Sequence, residues 1–196
     1  MKEIEVLVEI KEPLDSALAK LKKADAIKEA GTALVIDEYY YKSKDEQNKD
    51  VFSTNEWFRI RKKGNKTLVT YKKDNFKEDG SWFYSDEYET EIADHDTFEK
   101  IVRNLGMKTL VVVKNNKHEF IVEDNEFEIV VEDVENLGVF MEIEKLNVSD
   151  KESDAFIDSV RKEIKTLISK TGIKTSEEMH VGKPEMLIEK NRGPLE

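Results

Sequence analysis

The sequence predicts a protein of the α+β class, with eight or so mostly antiparallel strands and three helices. Most of the chain consists of short segments in which apolar and polar residues alternate, which is the period of a half-buried strand. Many of these segments are joined by short turns, which connect antiparallel neighbours. Three other segments repeat apolar residues every three or four positions, as amphipathic helices do.

The first half of the chain supplies five predicted strands and one helix. A strand over residues 1–10 is followed by a helix that begins after Pro13 and ends at Gly31. The remaining elements are a strand at 35–41, a hairpin of 57–61 and 67–72 that turns at Gly64-Asn65, and a strand at 83–92. Two polar stretches, 42–56 and 73–81, are predicted to be loops.

The second half adds further strands and two helices. Asp96 with Glu99 forms a capping box for the first helix, and Ser149 with Glu152 forms one for a longer helix that ends at Gly172. Extended segments lie at 109–114, 117–122, 127–134 and 139–145. The pair Asn115-Asn116 is also a hairpin signal, but we retain a continuous strand there. We expect one domain over residues 1–172 and a C-terminal appendage, 173–196, with short helical turns around Glu177 and at 184–190.

Composition limits the functional class. The 196 residues include no cysteine, which excludes disulfides, zinc–thiolate sites and thiol catalysis. The net charge of −11 argues against a nucleic-acid binder, because phosphate contacts need a basic surface. The chain has no apolar run long enough to cross a membrane and no signal-peptide pattern, so we expect a cytoplasmic protein without a membrane partner.

Charged residues keep to one face of each predicted strand. Acidic pairs two positions apart occur in the first strand, at Glu3 and Glu5, and in the last, at Glu142 and Glu144, while Arg59 and Arg61 form a basic pair. On an open sheet these side chains would face water. If the sheet closes with its apolar face outward, they would line a polar tunnel. Converging carboxylates would then need a divalent cation to offset their repulsion. The charge pattern alone is compatible with both the open and the closed sheet.

Five motifs in a fixed order resemble the CYTH family, which contains the class IV adenylyl cyclases and the thiamine triphosphatases. The resemblance runs from residue 1 to about residue 170. The motifs are Glu3-Ile4-Glu5, Phe58-Arg59-Ile60-Arg61, Leu68-Val69-Thr70-Tyr71-Lys72, Glu87-Tyr88-Glu89-Thr90 and Leu137-Gly138-Val139-Phe140-Met141-Glu142-Ile143-Glu144. It implies an eight-stranded antiparallel β-barrel, a triphosphate tunnel, with helices packed on the outside.

The resemblance also implies the site. A triphosphate-containing small molecule (ATP, thiamine triphosphate or tripolyphosphate) would bind with Mg²⁺ or Mn²⁺. The implied metal ligands are Glu3, Glu5, Glu89, Glu132, Glu142 and Glu144, with Glu87 as the alternative to Glu89. The implied phosphate ligands are Arg59, Arg61, Lys72, Lys114 and Lys117. Glu3, Glu5 and Lys72 would be catalytic, through positioning and charge neutralisation.

The sequence has fewer basic residues at the implied phosphate-binding positions than the family pattern has. Leu7, Ser85 and Asn116 stand where basic residues are expected, and Val139 replaces an aspartate. The alternatives are therefore a triphosphate phosphohydrolase, a class IV-type adenylyl cyclase, and a catalytically silent module that binds nucleotide or polyphosphate. A protein–protein interaction domain that keeps the fold is a further alternative, and the oligomeric state, including a homodimer, stays open.

The aromatic and histidine residues leave smaller questions. Trp57 and Trp82 would either stack on a nucleobase or pack at a barrel rim. His95, His118 and His180 lack metal-ligand spacing, and we expect them to be structural or exposed.

Overall fold

Eight strands and four helices make up the part of the chain that the computed structural model describes, which is residues 2–41, 55–122 and 126–192. The strands are β1 (Lys2–Glu9), β2 (Ile27–Tyr41), β3 (Glu56–Lys63), β4 (Lys66–Phe76), β5 (Trp82–Ile92), β6 (Lys108–Val122), β7 (Phe127–Val134) and β8 (Gly138–Lys145). The helices are α1 (Leu14–Lys23), α2 (His95–Asn104), α3 (Asp154–Thr171) and α4 (Lys183–Arg192). The predicted loop at 42–56 lies almost entirely outside the described residues, since 42–54 are not described.

The strands close into one antiparallel barrel. Their order around the ring is β1-β5-β4-β3-β2-β6-β7-β8, so β8 pairs with β1 to complete the circle. The predicted α+β class and the eight-stranded barrel with external helices are confirmed.

The apolar face of the barrel points outward. In β1, Ile4, Val6 and Val8 lie in the main hydrophobic core, where they are at most 2% exposed. Helix α3 covers this face and buries Ile157, Val160, Ile164 and Ile168 against it. Each such side chain contributes about 1.5–3 kcal/mol by leaving water. Successive side chains point to opposite sides of a strand. The polar side chains that alternate with these apolar ones therefore face the lumen.

Strand β2 is longer than predicted. Gly31 was expected to end the first helix, but α1 ends at Lys23 and Gly31 lies inside β2, at a shift in register with β6. This expectation was wrong because β2 pairs with β6 along almost its whole length, and that pairing outweighs the local glycine signal. Strand β6 is continuous through Asn115-Asn116, as predicted.

Two helix starts also differ from the predictions. The side chain of Asp94, and not that of Asp96, caps α2 by accepting a hydrogen bond from the Thr97 amide at 3.0 Å. The cap of α3 is Ser153, four residues beyond Ser149. Gly172 ends α3 as predicted, in the left-handed conformation (φ 65°) that glycine adopts without strain.

The C-terminal residues complete the barrel wall. Strand β1 pairs with β5 only at Lys2 and Glu3. Farther along β1, the chain after α3 pairs with it, and the Ser176 and Met179 amides donate to the Glu9 and Leu7 carbonyls at 2.8 and 2.9 Å. Helix α4 follows and buries Leu187 and Ile188. None of the described helices is long and apolar enough to cross a membrane.

Candidate active site

The barrel encloses a cavity of about 380 Å³ that is lined mostly by charged side chains. Among the described residues that line it, eleven are acidic and six are lysine or arginine. The acids outnumber the cations, so the cavity cannot hold all of its carboxylates ionised without a bound cation or protons.

The two signs of charge occupy separate arcs of the barrel. The ring order places β7, β8, β1 and β5 side by side, and β4, β3, β2 and β6 side by side. The first arc presents Glu128, Glu142, Glu144, Glu3, Glu5, Glu87 and Glu89. The second arc presents Lys72, Arg59, Arg61, Lys63 and Lys117, together with Asp37, Asp74 and Glu119. We call these the acidic wall and the basic wall.

Three carboxyls of the acidic wall resist ionisation. Burial, followed by the charge of Glu5, raises the pKa of Glu3 to about 8, and the same two causes raise the pKa of Glu142 to about 8. Burial and the neighbouring Glu3 raise the pKa of Glu144 to about 9. Burial also disfavours the charged form of Glu5, but Lys72 outweighs it and the pKa of Glu5 falls. A bound cation would favour ionisation of all these groups.

Lysines lie between the carboxylates. Lys72 Nζ bonds Glu5 Oε1 at 2.8 Å and also contacts Glu3. Lys183 Nζ bonds Glu142 Oε1 at 2.6 Å and also contacts Glu132. In the described part of the chain, no three acidic or histidine side chains converge closely enough to chelate a metal as they stand. The donor set nonetheless fits a hard divalent cation, because carboxylate oxygens are in excess and several carry raised pKa values.

The arginines of the basic wall are held by fixed partners. Arg61 makes a two-bond contact with Asp37, with Nε at 2.7 Å from Oδ1 and Nη2 at 2.8 Å from Oδ2. Arg59 Nη2 donates to Thr70 Oγ1 at 2.9 Å and lies 3.4 Å from Glu89 Oε2. Both arginines line the cavity, where a planar guanidinium suits two-bond contact with phosphate oxygens.

Lys117 and Lys183 both contact Glu132, yet burial and nearby cations still disfavour their charged forms. Burial and the nearby Arg61 lower the pKa of Lys117, and burial and the nearby Lys117 place the pKa of Lys183 well below its usual range. A bound polyanion would stabilise the charged form of both lysines. A cation would thus be favoured at the acidic wall, and an anion would be favoured next to these two lysines.

Most of the predicted site residues meet in this cavity. Those that line it are Glu3, Glu5, Glu89, Glu142, Glu144, Arg59, Arg61, Lys72 and Lys117. Their roles in binding and catalysis stay predictions.

Two predicted residues do not line the cavity. Lys114 points outward, with its side chain 53% exposed and its Nζ 3.8 Å from Glu135, so its assignment to phosphate is corrected. In β6, Val113, Asn115 and Lys117 point into the barrel. The family pattern that assigned Lys114 to phosphate was therefore aligned one residue out of register. Glu132 is fully buried, lies 2.6 Å from Lys117 Nζ and also contacts Lys183. Because it is the counter-ion of two lysines, it is the least suitable metal ligand among the predicted acids.

The residues that depart from the family pattern are also placed. Leu7 lines the cavity but is only 1% exposed, because it packs with Phe140 and Leu187 in an apolar cluster under α4. Ser85 is fully buried, and its hydroxyl donates to Asp74 at 2.7 Å. Asn116 faces away from the lumen, as Lys114 does.

The tryptophans line the cavity and are fixed at their polar ends. Trp57 Nε1 donates to Asp74 at 2.8 Å, and Trp82 Nε1 donates to Ser85 Oγ at 3.1 Å. His180 lines the cavity too and accepts a 3.3 Å hydrogen bond from the Trp82 amide.

Sequence reasoning missed several charged residues that line the cavity, among them Asp37 and Lys183. Asp37 could have been found, because a lone acid alternating with Val35 and Tyr39 in a strand is an unusual inward residue. Lys183 gave no such signal, because it enters from the start of α4 and its position depends on how the C-terminal residues pack on the barrel.

Comparison with known proteins assigns a family model to most of the chain. The model that matches is the CYTH domain, over residues 1–177. A search of curated proteins found no match.

Solved structures share the fold over nearly the whole chain. The PH1819 protein from Pyrococcus horikoshii OT3 is 25% identical, with a TM-score of 0.78 over 96% of this chain and 99% of that one. A protein from Vibrio parahaemolyticus, described as a candidate adenylate cyclase, is 16% identical, with a TM-score of 0.73 over 94% of this chain and 97% of that one. A candidate adenylyl cyclase from Hippeastrum, described as having a dominant triphosphatase activity, is 16% identical, with a TM-score of 0.59 over 100% and 98%.

Proposed function

Because the chain belongs to the CYTH family, we propose that it is a divalent-metal-dependent enzyme acting on a triphosphate, and that hydrolysis is the reaction its site supports best. The observation that carries the proposal is the separation of charge: an acidic wall and a basic wall face each other across one closed cavity. A metal–triphosphate complex presents the same two charges, positive at the metal and negative at the phosphate chain.

The acidic wall would hold Mg²⁺ or Mn²⁺. Glu3, Glu5, Glu142 and Glu144 are the proposed ligands, with Glu89 close to Arg59 as a further candidate. When bound, the metal would neutralise phosphate charge and orient the substrate. If these carboxylates held a cation, Lys72, which now contacts Glu3 and Glu5, would be available to donate to a phosphate oxygen.

The basic wall would hold the triphosphate. Arg59 and Arg61 offer guanidinium N–H groups that their protein partners do not use, and Lys117 and Lys183 offer ammonium groups. Lys183 adds a cation that Leu7, Ser85 and Asn116 do not supply. Each charge-assisted hydrogen bond contributes about 1.5–3 kcal/mol. Lys183 would therefore offset part of the phosphate-binding energy that is missing because these three positions carry no cation.

Hydrolysis requires less of the site than cyclisation. Water is the attacking group, and the protein contributes positioning and charge stabilisation with little covalent chemistry. Cyclisation also requires an ordered ribose and a base-binding surface. The fixed indoles of Trp57 and Trp82 are the feature that favours a nucleotide, and they keep an adenylyl cyclase as the second candidate.

The test is a product assay with three substrates: ATP, thiamine triphosphate and tripolyphosphate. We expect Mg²⁺- or Mn²⁺-dependent phosphate release that EDTA abolishes and that Arg61→Gln reduces strongly. Cyclic AMP as the main product from ATP would favour the cyclase. Saturable binding without any product would favour the catalytically silent module.

A further inference from the structure

An ion pair outside the cavity fixes the segment that carries Lys183 into it. We define residues 174–183, between α3 and the first turn of α4, as the C-terminal strap. Within it, Glu178 contacts Arg161 of α3, and its second carboxylate oxygen lies 2.6 Å from Lys165 Nζ. The Glu178 side chain is 11% exposed and that of Arg161 is 9% exposed, so solvent screens the pair little.

Arg161 also joins the strap to the barrel wall. Its Nη1 donates to the carbonyl of Glu5 in β1 and to the carbonyl of Phe83 in β5, both at 3.0 Å. These carbonyls lie next to the place where β1 and β5 stop pairing. Since Arg161 makes these barrel bonds without using Glu178, Glu178 is the member of the pair whose role is specific to the strap.

The strap connects this ion pair to the cavity over a short distance in sequence. The strap is also tied to β1 by the Met179 amide, which donates to the Leu7 carbonyl at 2.9 Å, and by Ser176 Oγ, which accepts from the Glu9 amide at 2.9 Å. Four residues after Met179, Lys183 reaches Glu142 at 2.6 Å. Displacing a binding group by about 1 Å is enough to weaken its contribution severely.

We propose that Glu178 is a positioning residue: held by Arg161 and Lys165, it fixes the C-terminal strap so that Lys183 reaches the bound triphosphate. The inference rests on the proposed function, in which Lys183 binds phosphate. Glu178 itself does not line the cavity and would act through the strap.

The test is a double-mutant cycle on tripolyphosphate affinity, measured by calorimetry in Mg²⁺. Glu178→Gln should weaken binding about ten-fold, and Lys183→Gln should weaken it at least as much. The double variant should bind as Lys183→Gln alone does, because Glu178 acts through Lys183. Wild-type affinity in Glu178→Gln, or a fully additive loss in the double variant, would overturn the inference.

Hydrogen exchange supplies a readout that needs no ligand. Amides of the strap, including those of Ser176 and Met179, should exchange faster in Glu178→Gln than in the wild type. The matched control is Glu163→Gln, which changes an exposed acid on the same helix and should leave strap exchange unchanged. Equal protection of the strap in Glu178→Gln and the wild type would contradict the proposal.

The outcomes separate this inference from the proposed function. If the wild type does not bind tripolyphosphate, the proposed function fails, and the positioning role fails with it even if strap exchange changes. If the wild type binds and Glu178→Gln binds equally well, only the positioning role fails. Should Glu178→Gln not fold, Lys165→Gln removes one partner of Glu178 from an exposed position and should weaken binding in the same direction.

Discussion

Replacing Glu144 by glutamine should stabilise the metal-free protein at neutral pH. Burial and the nearby acids Glu3, Glu5, Glu87 and Glu128 raise the pKa of this carboxyl from 4.5 to about 9. At pH 7 the folded protein therefore keeps Glu144 protonated, while the unfolded chain ionises it. Glutamine cannot ionise in either state, so the substitution removes this difference.

The magnitude follows from linkage between folding and protonation. Keeping Glu144 protonated in the folded protein at pH 7, when its normal pKa is 4.5, lowers the free energy of unfolding by up to about 3 kcal/mol, at about 1.4 kcal/mol per pH unit. The gain in Glu144→Gln is therefore at most about 3 kcal/mol, or roughly 6–12 °C in Tm for a chain of this size. Because the folded pKa is raised, the contribution of Glu144 to stability is greatest below about pH 4.5 and is lost as the pH rises toward 9.

The assay is urea unfolding in EDTA at pH 5 and pH 7, with Glu163→Gln, an exposed acid on α3, as the control. We expect Glu144→Gln to gain stability at pH 7 and to lose most of that gain at pH 5, while the control is unchanged at both. A variant no more stable than the wild type at pH 7, or equally stabilised at both pH values, would refute the reasoning.

Three further predictions follow from the same geometry. Lys117→Ala should weaken tripolyphosphate binding about ten-fold or more in calorimetry, whereas Lys114→Ala should leave it unchanged; equal effects would show that the inward register of β6 is wrong. Leu7→Lys should lower unfolding stability by at least about 2 kcal/mol, because position 7 is 1% exposed and packs in an apolar cluster under α4; unchanged stability would contradict that packing. Mg²⁺ binding at pH 7 should release protons into a weak buffer, because metal binding ionises the buried acids, and the release should diminish as the pH rises toward 9, where these acids are already ionised; binding without proton release at pH 7 would contradict the raised pKa values.

The alternating strands made most of the fold predictable. In β1 and β8 the apolar and acidic parities are strict, and the structure places Ile4 and Ile143 in the outer core and Glu5 and Glu142 in the lumen. That alternation is a local property of each strand, so the sequence carries it directly. The closure of the sheet came from the family resemblance, since parity alone also fits an open sheet.

The errors arose where distant contacts decide the structure. Gly31 looked like a helix end because its pairing with β6 is not visible locally. Lys114 was assigned to phosphate from the spacing of a motif, and a shift of one residue moves a side chain to the other face of a strand. Lys183 could not be found at all, because its place in the cavity depends on the strap and α4 packing against the barrel.

The central claim is that metal and triphosphate bind together in one cavity, each to its own wall. It is tested most directly by the affinity of tripolyphosphate measured by calorimetry in Mg²⁺ and again in EDTA. Because coupling between two ligands is reciprocal, Mg²⁺ should tighten tripolyphosphate binding at least about ten-fold, and tripolyphosphate should tighten Mg²⁺ binding by the same factor. Equal affinity with and without the metal would contradict the account.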